Sequence, residues 1–234
     1  MLVLAGGFGS RLRSIVSDVP KPLAPVCGEP FLSYLIENYI IQGAREFVFL
    51  LHYEAKLIES MIKQLATKKN FSNVKMTYIY ENKPLGTGGS IKNAIKILNI
   101  SEPFIAINGD TWLSTGFDDV ASSKPNSLAA VNIADCARYG TLIVKNNIVT
   151  AFLEKNVDKG EGLINAGLYH LAPDVFSSFA DRLSFSLEKE VLPKISEYGG
   201  LEVVRLYSEF IDIGVPHDYL RFCEWICSGK TIEL

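Results

Sequence analysis

Apolar and polar residues follow one another along this chain in two rhythms, and the rhythm changes near residue 110. Before that point, short apolar runs alternate with segments whose apolar residues recur every three or four positions. LVLA, EFVFLL, KMTYIY and PFIAIN have the length and the branched or aromatic content of buried strands. Between the first two, LSYLIENYII sets Leu32, Leu35, Ile36, Tyr39 and Ile40 at helical spacing, with Gly43 placed to end the helix. Leu57, Ile58, Met61, Ile62 and Leu65 predict a second amphipathic helix, and Ile91, Ala94, Ile95 and Leu98 a third. Repeated strand–helix–strand units call for a mostly parallel sheet covered by helices on both faces and wound right-handedly.

After Asp110 the pattern turns antiparallel. SLAAVNI, TLIVK, IVTAFLE, LINAGLYHL, LEVVRLY and FIDIG read as strands, and Asn146-Asn147 offers a hairpin turn between the second and third. A helix is predicted around LEKEVLPKI, which Pro193 must bend or divide, and a closing helix over Pro216 to Cys227. No internal repeat, low-complexity segment or long linker interrupts the chain. The expectation is one α/β domain over 1–234 whose second half adds antiparallel strands to the parallel sheet.

Composition narrows the partners more than the fold. The 234 residues are long enough for a substantial core, and a formal net charge of −3 argues against a general nucleic-acid binder. One local cluster of Arg and Lys would still suffice for a nucleotide. Cys27, Cys136, Cys223 and Cys227 show no paired metal-ligand spacing. Cys223 and Cys227, four apart on one helical face, read as two small core residues rather than a metal or redox pair. No signal-peptide pattern precedes the first strand and no apolar run reaches the ~18 residues of a membrane span, so a reducing cytoplasm without membrane attachment is expected.

Three stretches at the ends of parallel strands carry candidate chemistry, because ligands of open α/β sheets sit beyond the carboxyl ends of the strands. In LAGGFGSRL, Gly6, Gly7 and Gly9 bare the backbone and Arg11 adds a fixed charge, a combination suited to phosphate; a tight turn needing glycine for its angles is the plain alternative. That first stretch continues to VPKPLAPV, where two prolines restrict where Lys21 points. NKPLGTGGSI strips the backbone again at Gly86, Gly88 and Gly89 before a helix, suited to a base or ribose, with the Thr87 hydroxyl beside it; a simple loop with a helix cap reads almost as well. INGDT ends a buried strand in Asn108-Gly109-Asp110, and FIDIG sets Asp212 opposite Ile211 and Ile213 by strand alternation. A carboxylate in an apolar strand needs a cation or donors, and two aspartates meeting at one site would suit Mg²⁺.

AGGFGSRL followed by PKPLAPV resembles the GGxGxRL…PK signature of sugar-1-phosphate nucleotidyltransferases. PLGTGG, NGD, Glu154-Lys155, NAGLY and FIDIGVPHDY continue the resemblance in order across nearly the whole chain. Leu12 stands where the dinucleotide fingerprint GxGxxG requires its last glycine, which counts against a dehydrogenase. RYGT, LINAGLY and FIDIGVPHDY look most like the short members that act on D-glycero-α-D-manno-heptose 1-phosphate, typically with GTP. One departure is that the chain starts directly at MLVLAGG, without the residues that usually precede this strand.

The resemblance implies a Rossmann-like sheet of the nucleotide-diphospho-sugar transferase type, with 1–110 as the nucleotide-binding half and 111–234 as the sugar-phosphate-binding half. By motif, Ala5, Gly6, Gly7, Gly9, Ser10 and Arg11 would wrap the triphosphate, with Arg11 and Lys21 as catalytic cations and Lys21 near the α-phosphate. Gly86 and Thr87 would border the base and ribose, and Asp110 and Asp212 would hold Mg²⁺. Asn108, Gly140, Glu154, Lys155 and Asn165 would surround the sugar phosphate.

The implied reaction needs no catalytic base, since a phosphate monoester is largely dianionic at neutral pH and already nucleophilic. Positioning and charge neutralisation are what the protein must supply. His52, His170 and His217 are scattered and read as structural or exposed. Another base or sugar (UTP with an amino sugar 1-phosphate, GTP with mannose 1-phosphate) and a non-catalytic nucleotide-sugar sensor are the competing readings. The sequence leaves open whether copies form a homo-oligomer.

Overall fold

The computed structural model describes residues 1–7, 12–16, 19–155 and 160–229. In chain order its elements begin with β1 (Leu2–Leu4), β2 (Pro25–Val26), β3 (Glu29–Pro30), α1 (Phe31–Ile41) and β4 (Glu46–Leu51). They continue with α2 (Ala55–Thr67), β5 (Lys75–Tyr80), α3 (Gly86–Leu98), β6 (Phe104–Asn108) and β7 (Thr111–Leu113). Next come α4 (Phe117–Ala121), β8 (Ser127–Ile133), β9 (Thr141–Lys145), β10 (Ile148–Leu153) and β11 (Gly162–Leu171). The last are α5 (Leu192–Glu197), β12 (Glu202–Leu206), β13 (Phe210–Asp212) and α6 (Pro216–Cys227).

The chain forms two compact units, and they do not divide at residue 110. The first unit takes Met1–Pro84, Ile107–Thr115 and Glu209–Leu234; the second takes Leu85–Ala106 and Gly116–Ser208. The polypeptide thus passes between them after residues 84, 106, 115 and 208. The reason is that β13 pairs with β7, which draws the C-terminal stretch back to the first unit.

In the first unit β4 lies between β1 and β5, parallel to both, with Leu2 opposite Val48 and Glu46 opposite Lys75. Residues 47–51 of β4 are all buried, which is why that run is apolar without alternation. Helix α1 buries Phe31, Leu32, Leu35, Ile36 and Tyr39, and Gly43 follows it with a left-handed φ of +107°. Helix α2 buries Ile58, Met61, Ile62 and Leu65 but leaves Leu57 43% exposed, so its apolar stripe is narrower than the spacing predicted. Glu59 on α2 accepts hydrogen bonds from Lys63 (2.7 Å), from Tyr78 (2.7 Å) and from Tyr80, fastening the helix to β5. These donors hold its carboxyl well below the ordinary range. Helix α6 packs Phe222 edge-on against Phe31 and near Trp112 and Trp225, an aromatic cluster whose truncation at Phe222 would cost ~3–5 kcal/mol.

In the second unit the strand order is β11-β8-β12-β10-β9. Of these pairings β8–β12 is parallel, and β8–β11, β10–β12 and β9–β10 are antiparallel. Asn146 and Asn147 turn the β9–β10 hairpin with φ of +51° and +61°, the conformation such two-residue loops require. The helix expected around LEKEVLPKI is divided: a π-helical turn over Leu187–Val191 precedes α5, whose first turn holds Pro193. Proline is tolerated in a first turn because the N–H it lacks would have no partner within α5. On α3, Ile91 and Ala94 are buried as predicted, whereas Leu98 is 43% exposed.

Candidate functional site

The short antiparallel ribbon of β7 and β13 puts two aspartates side by side. Asp212 faces Thr111 in register, and the Ile213 amide donates to the Asp110 carbonyl at 3.1 Å. Ile211 and Ile213 are buried as alternation requires, and the intervening Asp212 is half-buried. Lys21 reaches the same place: its Nζ lies 2.6 Å from Asp110 Oδ2, with the two side chains 12% and 33% exposed. Gly214 stands beside all this without a side chain. A Cβ there would come within 2.7 Å of Asp212 Oδ1 and 2.8 Å of Lys21 Nζ, so only glycine lets both groups come this close to the backbone. Its amide donates to Asp212 Oδ1 at 2.7 Å, which fixes the carboxylate. Among the described residues no group of three or more His, Cys, Asp or Glu side chains could hold a metal alone.

Ala5 and Gly6 follow β1, where the Ala5 amide donates to Leu50 and the Tyr53 amide to Gly6. A Cβ on Gly6 would press His52 at 3.2 Å, whereas one on Gly7 would meet no described atom within 4 Å. Gly9, Ser10 and Arg11, the remaining triphosphate candidates, lie outside the described residues. The Gly109 amide donates to the Leu4 carbonyl at 3.0 Å, and a Cβ on it would crowd that oxygen at 2.8 Å. Next to it, Asn108 Oδ1 is buried without a hydrogen-bond partner among the described residues.

The PLGTGG glycines have an internal reason. Segment 183–187 lies against the start of α3, and the Gly88 and Gly89 amides both donate to the Phe185 carbonyl. The Thr87 hydroxyl, expected beside a ligand, donates to Glu188 at 2.6 Å and accepts from the Leu187 amide at 2.8 Å. The Thr87 hydroxyl is thus engaged within the protein on both sides.

The sugar-phosphate candidates of the second unit divide. Glu154 is exposed at the end of β10 and lines a cleft of about 370 Å³, and Lys155 follows it, also exposed. Gly140 lies where a Cβ would come 3.0 Å from the Leu153 carbonyl. The Asn165 side chain is engaged inside β11, donating to the Tyr169 hydroxyl and accepting from the Gly167 amide, both at 3.0 Å. Glu188, which the sequence reading missed, lines the same cleft as Glu154 and accepts from Thr87 and from Ser186 (2.9 Å). The only signal for it was an acidic residue in the interrupted helix LEKEVLPKI.

Cys227 corrects an expectation. It is exposed and bonded to Cys27 rather than being a core residue, while Cys223 is a half-buried free thiol. A partner 200 positions away leaves no spacing signal. His52 Nδ1 faces the Glu81 carbonyl at 2.9 Å, His170 Nδ1 the Ser123 carbonyl at 2.9 Å, and the His217 side chain is 82% exposed. Among the described residues no helix is long and apolar enough to cross a membrane.

The sequence matches the family model described as nucleotidyl transferase over residues 1–227. It is 36% identical over 225 residues to the D-glycero-α-D-manno-heptose 1-phosphate guanylyltransferase of Campylobacter jejuni, covering 94% of this chain and 97% of that one. The enzyme of the same name from Aneurinibacillus thermoaerophilus is 36% identical over 230 residues, covering 94% and 95%. The crystal structure of HddC from Yersinia pseudotuberculosis complexed with GMP-PN superposes with a TM-score of 0.83 at 36% identity, covering 96% and 98%.

Proposed function

Because the chain belongs to the nucleotidyl transferase family, we propose that it transfers the guanylyl group of GTP to D-glycero-α-D-manno-heptose 1-phosphate and releases pyrophosphate. The two guanylyltransferase relatives, each matched over more than nine-tenths of its length, support that choice of substrates. The observation that carries the reading is the meeting of Lys21, Asp110 and Asp212 around the bare Gly214.

A phosphate oxygen of the sugar 1-phosphate attacks the α-phosphorus of GTP. The bond to the β-bridging oxygen breaks and pyrophosphate departs. Lys21, paired with Asp110 before substrate arrives, exchanges that partner for α-phosphate oxygens and offsets the charge that grows on them. Gly6, Gly7, Gly9, Ser10 and Arg11 receive the triphosphate through amides and one guanidinium. Asn108, with its unpartnered Oδ1, accepts from a substrate hydroxyl. Glu154, Lys155 and Glu188 take the sugar and its phosphate.

Two neighbouring half-buried carboxylates, with substrate phosphates as further ligands, are a donor set that suits Mg²⁺. Asp110 and Asp212 would hold it. When bound, the ion supplies charge neutralisation on the nucleotide phosphates. The place of action we propose is the cytoplasm.

Pyrophosphate release across the four nucleoside triphosphates and several sugar 1-phosphates tests the reading. The expected outcome is the highest kcat/KM for GTP with the heptose phosphate, abolished by EDTA and restored by Mg²⁺. In Lys21→Ala, kcat is expected to fall on the order of a hundredfold or more while KM for the sugar phosphate changes little. A higher kcat/KM for UTP or for mannose 1-phosphate would replace the substrates, and no release from any pair would overturn the reaction.

A further inference from the structure

Cys27 and Gly28 form the two-residue turn between β2 and β3, with φ of +43° and +88°. Both central positions of such a turn are left-handed, and Asn, Asp or Gly fill them at least steric cost. Gly28 conforms and Cys27 does not. A cysteine in that place needs a reason other than the turn.

Its sulfur supplies one. Cys27 is bonded to Cys227 in the last turn of α6, with 5.9 Å between the Cα atoms, an ordinary span for a bridge. Both residues are exposed, so a reductant can reach them. Cys223 lies one helical turn earlier, its Sγ 4.0 Å from the Pro25 carbonyl and its own carbonyl 3.9 Å from Cys27 Sγ. Burial pushes the Cys223 thiol up, which disfavours the thiolate that would exchange with the neighbouring bridge. The bridge joins two segments that serve the candidate site. The hairpin follows Lys21 directly, and α6 follows Asp212 and Gly214. The Tyr219 hydroxyl on α6 donates to Pro25 of the hairpin, a second fastening beside the first.

We propose that Cys27–Cys227 is a reversible thiol–disulfide site, opened by a cellular dithiol or a glutathione-class thiol, whose closed state holds the Lys21 and Asp212 segments in register. In opening, a thiolate of the dithiol attacks Cys227 Sγ, the Sγ–Sγ bond breaks, and Cys27 leaves as a thiolate that takes a proton from water. The second thiol, giving up its proton, then displaces Cys227, so the dithiol becomes a cyclic disulfide and the protein gains two electrons and two protons. Closing is the reverse, with the oxidised partner of the same couple as acceptor. Intracellular bridges that cycle in this way are the exception that a reducing compartment permits.

The full chain, equilibrated over ratios of oxidised to reduced dithiothreitol, alkylated and mapped by mass spectrometry, provides the test. A linked Cys27–Cys227 peptide is expected to vanish on reduction and return on oxidation, with Cys136 and Cys223 alkylated throughout under denaturing conditions. Reduction is expected to lower the melting temperature by about 5 °C or more. Turnover at subsaturating GTP is expected to fall about twofold or more, by loosened positioning. Cys227→Ser should match the reduced wild type and ignore dithiothreitol, whereas Cys223→Ser should keep the full response. No linked peptide at any ratio, or a linked peptide with unchanged melting and turnover, overturns the proposal, as does a response lost in Cys223→Ser. Only the turnover arm rests on the proposed function: a cycling peptide with a melting shift, in a protein that turns over no substrate, supports the site and overturns that function instead.

Discussion

A Cβ added to Gly86 would meet the Phe185 carbonyl at 2.6 Å, one on Gly88 the Phe185 ring at 2.5 Å, and one on Gly89 the Leu183 carbonyl at 2.5 Å. A Cβ added to Gly7 would meet no described atom within 4 Å. In sequence the two stretches are alike, each a cluster of glycines after a strand. In the second unit the missing side chains admit the chain's own segment 183–187; at Gly7 they admit nothing from the described protein. A glycine cluster therefore reports close approach, and the space around it tells whether the visitor is the protein or a ligand.

Gly86→Ala is the strongest way to break that contrast. Its φ of +68° and the Phe185 carbonyl both oppose a side chain, so a loss of ~2–4 kcal/mol in urea unfolding is expected. Stability within ~0.5 kcal/mol of wild type would mean that 183–187 does not fix the glycine. Thr87→Val comes next: it leaves the Leu187 amide without its acceptor and is expected to cost ~1–2 kcal/mol, with KM for GTP nearly unchanged. A large rise in that KM at unchanged stability would return the hydroxyl to the ligand. For Gly7→Ala the expectation reverses, with unfolding as in wild type and nucleotide affinity weakened roughly threefold to tenfold, measured by calorimetry with GTP. Equal affinity would remove Gly7 from the phosphate loop.

The smallest effect concerns a carboxylate of the first unit, Glu59 on α2. Glu59 has a folded pKa held below the ordinary 4.5 by Lys63, Tyr80 and Tyr78. Its contribution to stability is therefore present above pH 4.5 and lost progressively as pH falls below that value. Melting temperatures at pH 6 and near pH 3.5 are expected to differ more in the wild type than in Glu59→Gln; equal differences would show the network to be idle.

The long apolar runs and the helical spacings were readable because each fixes its own local structure. EFVFLL, KMTYIY and SLAAVNI became the strands β4, β5 and β8 with the bounds that their composition marks. The β2–β3 hairpin and β7 escaped notice because two or three residues carry no periodicity. Lys21, Asp110 and Asp212 could each be singled out, but their meeting depends on the β7–β13 pairing across 96 intervening residues, 114–209, that no spacing rule spans. Glu188 was hidden for a different reason: in a helical pattern an acid is ordinarily a solvated face, and its bonds from Thr87 and Ser186 and the cleft beside Glu154 set it apart from one. The bounds of the two compact units were not legible because a linear reading cannot see a C-terminal strand return to residues 111–113.

The β7–β13 ribbon also sets how this chain can change length. Asp110 and Asp212 are held by backbone register over three residues on each strand, and the second unit's Gly116–Ser208 hangs between those strands. Loops inside that span can gain or lose residues without moving one aspartate relative to the other. A single residue inserted within β13 would turn Asp212 to the face now held by Ile211 and Ile213, because side chains alternate across a strand. Drift in size is thus open to the larger part of the second unit and closed to six residues of the first.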